Sequence, residues 1–196
     1  MLNIAVFASG RGSNFEALHR AIVEQKFSAQ VVVVISNNST SGVLSLAQSF
    51  GIPALHLSQR QFPDPKAYQQ AVVNALKNYN VNFIVLAGYM KKLDTEIIRT
   101  FPKRIINIHP ALLPKFGGEG MYGMFVHTAV IAASEQESGA TVHFVDEEYD
   151  RGAIIAQQKI SISSSDTPES LAVKVLAVEH TLLPSVVKTF SQQLST

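Results

Sequence analysis

The chain has 196 residues, of which 46% are hydrophobic, and this length and composition suit one globular domain with a sizeable core. Sixteen Lys and Arg against fifteen Asp and Glu leave a net charge of +1, which predicts no nucleic-acid partner and no anionic membrane surface. Cysteine is absent, which excludes disulfides, a thiolate nucleophile and Cys-ligated metal sites. With no signal sequence and no bilayer-spanning apolar run, we expect a cytoplasmic protein without a membrane partner.

Short apolar runs alternate with helical patterns through the first half of the chain. The runs at 31–35 and 83–86 are apolar on both faces, as in strands of a parallel sheet covered by helices. This βαβα order predicts an α/β fold with a doubly wound, mostly parallel sheet flanked by helices. The predicted strands are 3–8, 30–35, 54–57, 82–86 and 104–108, and the predicted helices are 14–25, 41–50, 65–79 and 95–100.

The pattern changes in the second half. Two prolines and four glycines predict a long loop at 110–125. The elements predicted after it are a helix at 127–134, strands at 141–145 and 154–162 around a turn at 147–152, and a helix at 168–190. Thr167 is predicted to cap the last helix, and Pro184 is predicted to kink or split it.

Ligands of open parallel sheets bind beyond the carboxyl ends of the strands, where segments 9–14, 87–93 and 107–114 lie. The first, Ser-Gly-Arg-Gly-Ser-Asn, suits a phosphate, because glycines let an anion approach a helix N-terminus. A tight turn with an Asn or Ser cap is the alternative. The third glycine and the acidic residue of a dinucleotide site are missing, as is the Lys of a Walker loop. A small phosphorylated ligand is therefore favoured over NAD or ATP.

The third of these segments carries Asn107 and His109, which strand alternation places on one side. An amide that donates to a developing oxyanion, beside an imidazole that moves a proton, suits group transfer. The alternative is a structural pair, in which the Asn caps a turn and the backbone satisfies the His. A carboxylate from 146–150 would orient His109 and favour its charged form. His143 is predicted to be packed rather than catalytic, and no His or Glu spacing predicts a metal site.

Several strings resemble the glycinamide ribonucleotide transformylases, the folate-dependent phosphoribosylglycinamide formyltransferases, nearly end to end. They are Ile-Ala-Val-Phe-Ala-Ser-Gly at 4–10 with Gly-Ser-Asn at 12–14, Leu-Ala-Gly-Tyr-Met-Lys-Lys-Leu at 86–93, Ile-Asn-Ile-His-Pro-Ala-Leu-Leu-Pro at 106–114, Gly-x-Thr-Val-His-Phe-Val at 139–145 and Asp-x-Gly at 150–152. The Asn-x-His-Pro-x-Leu-Leu-Pro string followed by Asp-x-Gly is highly specific for formyltransferases. The resemblance implies a Rossmann-like formyltransferase fold in one domain, 1–196, with a phosphate-binding half, 1–108, and a folate and catalytic half, 109–196.

The resemblance also implies a reaction and its residues. The reaction is transfer of the formyl group of 10-formyltetrahydrofolate to the amine of glycinamide ribonucleotide in de novo purine biosynthesis, by direct attack through a tetrahedral oxyanion. It implies small-molecule substrates, no metal, and a monomer or homodimer. The implied catalytic residues are Asn107, His109 and Asp150. The implied ribonucleotide residues are Gly12, Ser13, Asn14 and Glu179, and the implied folate residues are Met90, Lys91, Lys92, Leu93, Asn107 and Lys66.

Two positions depart from the family pattern. Several relatives carry a folate-contacting basic residue where Pro65 stands, so Lys66 is the candidate substitute. A His-x-His often follows the Leu-Leu-Pro string, but its first His is Phe125 here, before His127. Three alternatives stay open: a methionyl-tRNA formyltransferase, a formyltetrahydrofolate hydrolase, and an inactive phosphosugar- or folate-binding protein. The first two are expected to carry an additional C-terminal or N-terminal domain, for which this chain leaves little room.

Overall fold

A computed structural model describes residues 1–193 as a seven-stranded sheet with helices on both faces. The strands are β1 (Leu2–Phe7), β2 (Ala29–Ser36), β3 (Ala54–His56), β4 (Phe83–Leu86), β5 (Ile105–His109), β6 (Glu137–Phe144) and β7 (Ile154–Ser161). The helices are α1 (Ser13–Gln25), α2 (Gly42–Ser49), α3 (Pro65–Asn78), α4 (Thr95–Thr100), α5 (Met124–Ala132) and α6 (Pro168–Gln193). The sheet order is β3-β2-β1-β4-β5-β6-β7. Strands β1 to β5 pair in parallel, whereas β6 pairs antiparallel with both β5 and β7. The predicted mostly parallel, doubly wound sheet is confirmed.

Two apolar clusters cover the faces of the sheet. One joins side chains of α1, α2, α5 and α6 to the sheet, and the other joins α3 and α4 to its opposite face. Strand β4 is buried along its whole length, which explains why its sequence is apolar at every position.

The sheet order reverses between β1 and β4, and this reversal positions the site. The chain leaves β1 toward β2 and leaves β4 toward β5, so the segments that follow β1 and β4 diverge and open a crevice. The Ser9 N–H donates to the Gly88 carbonyl at 3.0 Å and holds the two segments together at its base. The loop that follows β5 opens onto the same edge of the sheet.

Element boundaries differ from the sequence prediction in the second half. Helix α5 begins at Met124, three residues before the predicted start, so Phe125 is on the helix and not in the loop. Strand β6 begins at Glu137, because it pairs with β7 along its full length from Glu137 opposite Ser161. A short 3₁₀ turn, Gln59–Gln61, was not predicted.

Helix α6 runs unbroken through Pro184, so the predicted split is wrong. Proline removes one backbone donor, but the buried side chains of Leu183 and Val187 hold both sides of it against the core. The predicted cap is confirmed: Thr167 Oγ1 accepts the Ser170 N–H at 3.3 Å, and Ser170 Oγ accepts the Thr167 N–H at 3.0 Å. By length and composition alone α6 could cross a membrane, yet half of its most apolar window is buried, as in a core helix.

Candidate active site

The structure brings Asn107, His109 and Asp150 together. Asn107 lies within β5, and His109 is the last residue of that strand. Asp150 lies in the turn between β6 and β7. His109 Nδ1 is 3.5 Å from Asp150 Oδ2, and Asn107 Nδ2 is 3.4 Å from Asp150 Oδ1. Asp150 has φ 54°, a left-handed conformation that Asp tolerates better than most residues and that occurs often at functional sites.

His143 completes this group, which we call the transfer centre (Asn107, His109, His143 and Asp150). Its Nδ1 is 2.8 Å from the Phe144 carbonyl, which can only accept, so the proton of the neutral ring lies on Nδ1. Its Nε2 then accepts from Asn107 Nδ2 at 3.1 Å and lies 3.5 Å from Asp150 Oδ1. Asn107 Nδ2, His143 Nε2 and Asp150 Oδ1 form a nearly equilateral triangle. The angle at the amide nitrogen is therefore far smaller than that between its two N–H bonds, so one N–H serves both acceptors and the other is left for a ligand.

Both ring nitrogens of His109 also have partners. Its Nε2 lies 2.8 Å from the Phe116 carbonyl, so Nε2 carries a proton, and Nδ1 faces Asp150. Burial lowers the pKa of His109, and this outweighs the opposing effects of Asp150 and the Phe116 carbonyl. The lowered pKa favours a neutral imidazole in the absence of a ligand, with Nδ1 facing the Asp150 carboxylate. As expected, Asp150 by itself favours the charged form of His109, but burial outweighs this effect on the pKa.

Asp150 is the anion of the transfer centre. Burial raises its pKa, but His143 and His109, when protonated, and the Gly118 N–H, 2.9 Å from Oδ2, outweigh burial, so the net pKa lies below the ordinary value. Gly117 packs against the same side chain, since an added Cβ there would lie 3.1 Å from Asp150 Cβ. The root of the loop after β5 thus fixes the carboxylate in its ionised form.

Three residues of the transfer centre, Asn107, His109 and Asp150, line a cleft of about 590 Å³. Asn14 and Glu179 line its far end, where Asn14 Nδ2 donates to Glu179 Oε2 at 2.7 Å. Glu179 is 6% exposed, and burial raises its pKa to about 7 against the smaller lowering effect of Asn14. Asn14 Oδ1 is buried and makes no hydrogen bond within residues 1–193. This end of the cleft offers acceptors to a ligand that carries hydroxyl or amine donors.

The glycine turn after β1 contributes only some of its residues to the cleft. Gly12 caps α1 with φ 90°, and a Cβ there would lie 2.6 Å from a Val43 methyl. Gly12 gives α1 no side-chain cap, which leaves first-turn N–H groups available to an anion. Arg11 and Asn14 line the cleft, whereas Gly12 and Ser13 are not among its lining residues.

The segment 90–93 lies on the other side of the transfer centre. The Met90 N–H donates to Ser9 Oγ at 2.9 Å, and Lys91 lines the cleft beside it. Lys92 Nζ is 5.5 Å from the centre of the Tyr149 ring. Leu93 is buried beside a smaller cavity of about 60 Å³ that Asn107, His143 and Asp150 also line.

The structure does not bring Lys66 to this site. Lys66 is exposed on the first turn of α3 and lines neither the cleft nor the smaller cavity. Pro65 fits its own position, because proline is favoured at the first position of a helix.

Two histidines of the site were missed or undervalued at the sequence level. His143 is packed as predicted, but its contact with Asn107 depends on the β5–β6 register, in which Asn107 lies opposite His143. His127 is buried beside the cleft, and its Nδ1 makes no hydrogen bond within residues 1–193. Phe125 is 62% exposed and packs edge-on against Tyr122, so it does not take the place of a second histidine in the site.

An open α/β sheet with an amide, an imidazole and an ionised carboxylate at its switch point defines an enzyme-like group-transfer site. The sequence profile described as "Formyl transferase" matches residues 2–187, and the chain belongs to this family. Chloroplastic phosphoribosylglycinamide formyltransferase of Arabidopsis thaliana is 44% identical over 185 residues, which cover 94% of this chain but 63% of that protein, so the chain spans less than two thirds of its length.

Two bacterial proteins are similar over most of their lengths. Phosphoribosylglycinamide formyltransferase of Bacillus subtilis (strain 168) is 37% identical over 188 residues, covering 96% of this chain and 94% of that one. The crystal structure of glycinamide ribonucleotide transformylase 1 from Symbiobacterium toebii superposes with a TM-score of 0.91 at 34% identity, covering 98% of this chain and 89% of that one.

Proposed function

We propose that the chain transfers the formyl group of 10-formyltetrahydrofolate to the amine of glycinamide ribonucleotide, a step of de novo purine biosynthesis. The observation that carries this proposal is the convergence of Asn107, His109 and Asp150 on the floor of one cleft whose far end holds Asn14 and Glu179. Similarity to proteins named for this activity, at 37% and 44% identity, supports it.

Asn107 stabilises the oxyanion that forms when the amine attacks the formyl carbon. His143 and Asp150 hold one of its N–H bonds, and the other donates to the formyl oxygen as charge develops there. Because the donor is already oriented before the substrates bind, the stabilisation requires no reorganisation during the reaction.

His109 and Asp150 handle the proton that the attacking nitrogen must lose. The Nδ1 lone pair faces an ionised carboxylate, so a proton that reaches Nδ1 directly or through water forms a charge-assisted hydrogen bond to Asp150. The same proton is then available to the folate nitrogen that leaves. The neutral resting state of His109 is the one that accepts this proton.

The two substrates occupy opposite sides of the transfer centre. Gly12, Ser13 and Asn14 hold the ribonucleotide phosphate through first-turn N–H groups, and Asn14 and Glu179 accept from its ribose hydroxyls. Met90, Lys91, Lys92 and Leu93 hold the folate beside Asn107, and Lys66 is left out of this set because it lines neither cavity.

A competition experiment tests this function. The purified chain is given 10-formyltetrahydrofolate with glycinamide ribonucleotide, initiator methionyl-tRNA and water as alternative acceptors. We expect formylated ribonucleotide as the main product. Formate alone would indicate a hydrolase, formylmethionyl-tRNA a tRNA formyltransferase, and tight folate binding without any product an inactive binding protein.

Further properties belong to the same proposal. The chain acts as a single formyltransferase domain on small molecules, needs no nucleic acid, membrane or metal, and works in the cytoplasm as a monomer or homodimer. We also propose a phosphate-binding half, 1–108, and a folate and catalytic half, 109–196, that contact each other in the site. The Asn14–Glu179 hydrogen bond crosses that division, and so does the placement of 90–93 beside Asp150.

A further inference from the structure

Arg11 is a charged residue of the cleft to which the roles described above assign no part. It lies between the two glycines of the turn after β1, it is exposed, and it lines the cleft together with Asn14. Its guanidinium forms no salt bridge within residues 1–193. An unpaired arginine on a concave surface attracts anions.

Backbone contacts with α2 hold Arg11 in place. The Gly10 carbonyl accepts the Val43 N–H at 3.1 Å. An added Cβ on Gly42 would lie 3.4 Å from Arg11 Cα, so the start of α2 packs directly against the turn. The guanidinium therefore extends from a backbone that is already fixed before a ligand binds.

Asn14 shows independently that this end of the cleft is suited to a ligand. Its side chain is 8% exposed, and its buried Oδ1 makes no hydrogen bond within residues 1–193. A buried acceptor without a partner is unfavourable unless a ligand supplies a donor. Arg11 precedes Asn14 by three residues in the same turn, so one ligand that carries both an anion and a hydroxyl can contact the two.

The charges around the cleft make Arg11 the cation that a phosphate at the start of α1 would meet. Of the described residues that line the cleft, only Arg11 and Lys91 are Arg or Lys, and Lys91 also lines the small cavity at the transfer centre. Helix α6 contributes Ala172, Leu176 and Glu179 to the cleft, and none of these is cationic.

A phosphate monoester needs more positive charge than a helix end provides. It carries about −1.5 to −2 at pH 7, whereas a helix N-terminus is equivalent to about +0.5. Arginine adds a full charge and a planar fork of N–H donors that matches two phosphate oxygens. The start of α1 and Arg11 together therefore compensate most of the phosphate charge.

We propose, on the basis of the function proposed above, that Arg11 is a specificity-determining residue, because its guanidinium binds the phosphate of the ribonucleotide and makes the enzyme prefer phosphorylated acceptors to the corresponding riboside. The N–H groups at the start of α1 bind the same phosphate, and Asn14 Oδ1 accepts from a hydroxyl of the attached ribose. Loss of the guanidinium weakens selection for the phosphate and leaves the hydroxyl contact in place.

The preference is measured as formyl transfer to glycinamide ribonucleotide and to glycinamide riboside, which lacks the phosphate. The proteins compared are the wild type, Arg11→Ala, Arg11→Lys and a control, Arg20→Ala. Arg20 is an exposed arginine on α1 that is not among the residues lining the cleft. The control therefore removes the same charge from the same helix without changing the site.

Arg11→Ala should raise the KM for the ribonucleotide about tenfold, the effect of one charge-assisted hydrogen bond, with less than twofold change in kcat. The kcat/KM for the riboside and the KM for the folate should stay within twofold. Arg11→Lys should keep part of the preference, because lysine supplies the charge without the fork, and Arg20→Ala should keep all of it. The melting temperature of Arg11→Ala should equal that of the wild type, because the side chain is exposed.

Salt gives a readout that a purely structural role would not change. Raising the salt concentration from about 0.05 to 0.5 M should raise the KM for the ribonucleotide more in the wild type than in Arg11→Ala, because exposed charges are screened. An equal salt dependence in the two proteins would contradict a direct contact between Arg11 and the phosphate.

Calorimetric titration with ribose 5-phosphate and with ribose needs no formyl transfer. The proposal is overturned if Arg11→Ala binds ribose 5-phosphate as tightly as the wild type, or if it loses activity equally toward the ribonucleotide and the riboside. If no acceptor is formylated but binding of ribose 5-phosphate depends on Arg11, the function proposed above fails while the phosphate contact stands.

Discussion

The transfer centre and the Asn14–Glu179 end of the cleft are both buried and polar, but they are completed in different ways. In the transfer centre Asn107, His109 and Asp150 all have partners, and the pKa of Asp150 is lowered. At the Asn14–Glu179 end, Glu179 has one hydrogen bond and a pKa raised to about 7, while Asn14 Oδ1 has no hydrogen bond within residues 1–193. The polar groups of the transfer centre are therefore paired in advance, whereas the other end leaves an acceptor open to a ligand.

The largest expected effect comes from substitutions in the transfer centre. Asn107→Ala removes the oxyanion donor and should lower kcat about 10²–10³-fold, equivalent to ~2.7–4 kcal/mol, with the melting temperature little changed. His109→Ala should be at least as severe. Asn74→Ala, which removes an exposed amide from α3, is the matched control and should keep full activity. Near-wild-type turnover in either site variant would refute the assigned roles.

Glu179→Gln tests the Asn14–Glu179 end of the cleft through the pH dependence of stability. The folded chain holds this carboxyl's proton up to about pH 7, whereas the unfolded chain releases it near 4.5, so its stabilising contribution is lost as pH rises across that window. The variant stays neutral throughout. Its free energy of unfolding, measured in urea, should therefore rise relative to wild type between pH 5 and 8, by up to about 3 kcal/mol. Parallel curves for the two proteins would mean that the carboxyl titrates normally.

Substitutions in the glycine turn at the same end distinguish a role of Gly12 in packing from a role in ligand binding. If Gly12 served only to admit a phosphate, Gly12→Val would selectively weaken ribonucleotide binding. The close approach of Val43 and the φ of 90° predict instead a loss of about 1–3 kcal/mol in folding stability through overpacking and strain. Gly10→Ala, where an added Cβ meets open space, should be tolerated. A Gly12→Val chain as stable as wild type would contradict this packing argument.

The smallest expected effect sharpens the role of His143. His143→Leu removes the acceptor that orients Asn107 and should lower kcat about tenfold, the worth of one hydrogen bond. His143→Gln, which can present an oxygen near the Nε2 position, should recover part of the loss. If His143 acts through Asn107, the Leu substitution should cost little more in an Asn107→Ala background, which a double-mutant cycle measures. Full additivity would assign it a purely structural role.

Much of this architecture follows from local sequence, and the exceptions have physical reasons. Runs apolar on both faces predicted buried parallel strands, and polar segments after β1, β4 and β5 located the cleft. The contact between Asn107 and His143 depends on strand register, which local patterning does not determine. Lys66 was chosen for its position near a family motif, which does not determine whether an exposed side chain on the first turn of α3 lines a cavity. Pro184 was expected to kink or split α6, and the helix is not split because tertiary packing holds both sides of the proline.

The hydrogen bond between Asn14 and Glu179 joins the first helix of the chain to the last. A polypeptide severed after β5 would leave each fragment with only one wall of this end of the cleft. Gene fission at that point is therefore a poor route to two working modules, whereas fusion to other enzymes at either terminus leaves both walls in one piece. In any larger protein that contains it, we expect this domain to remain undivided.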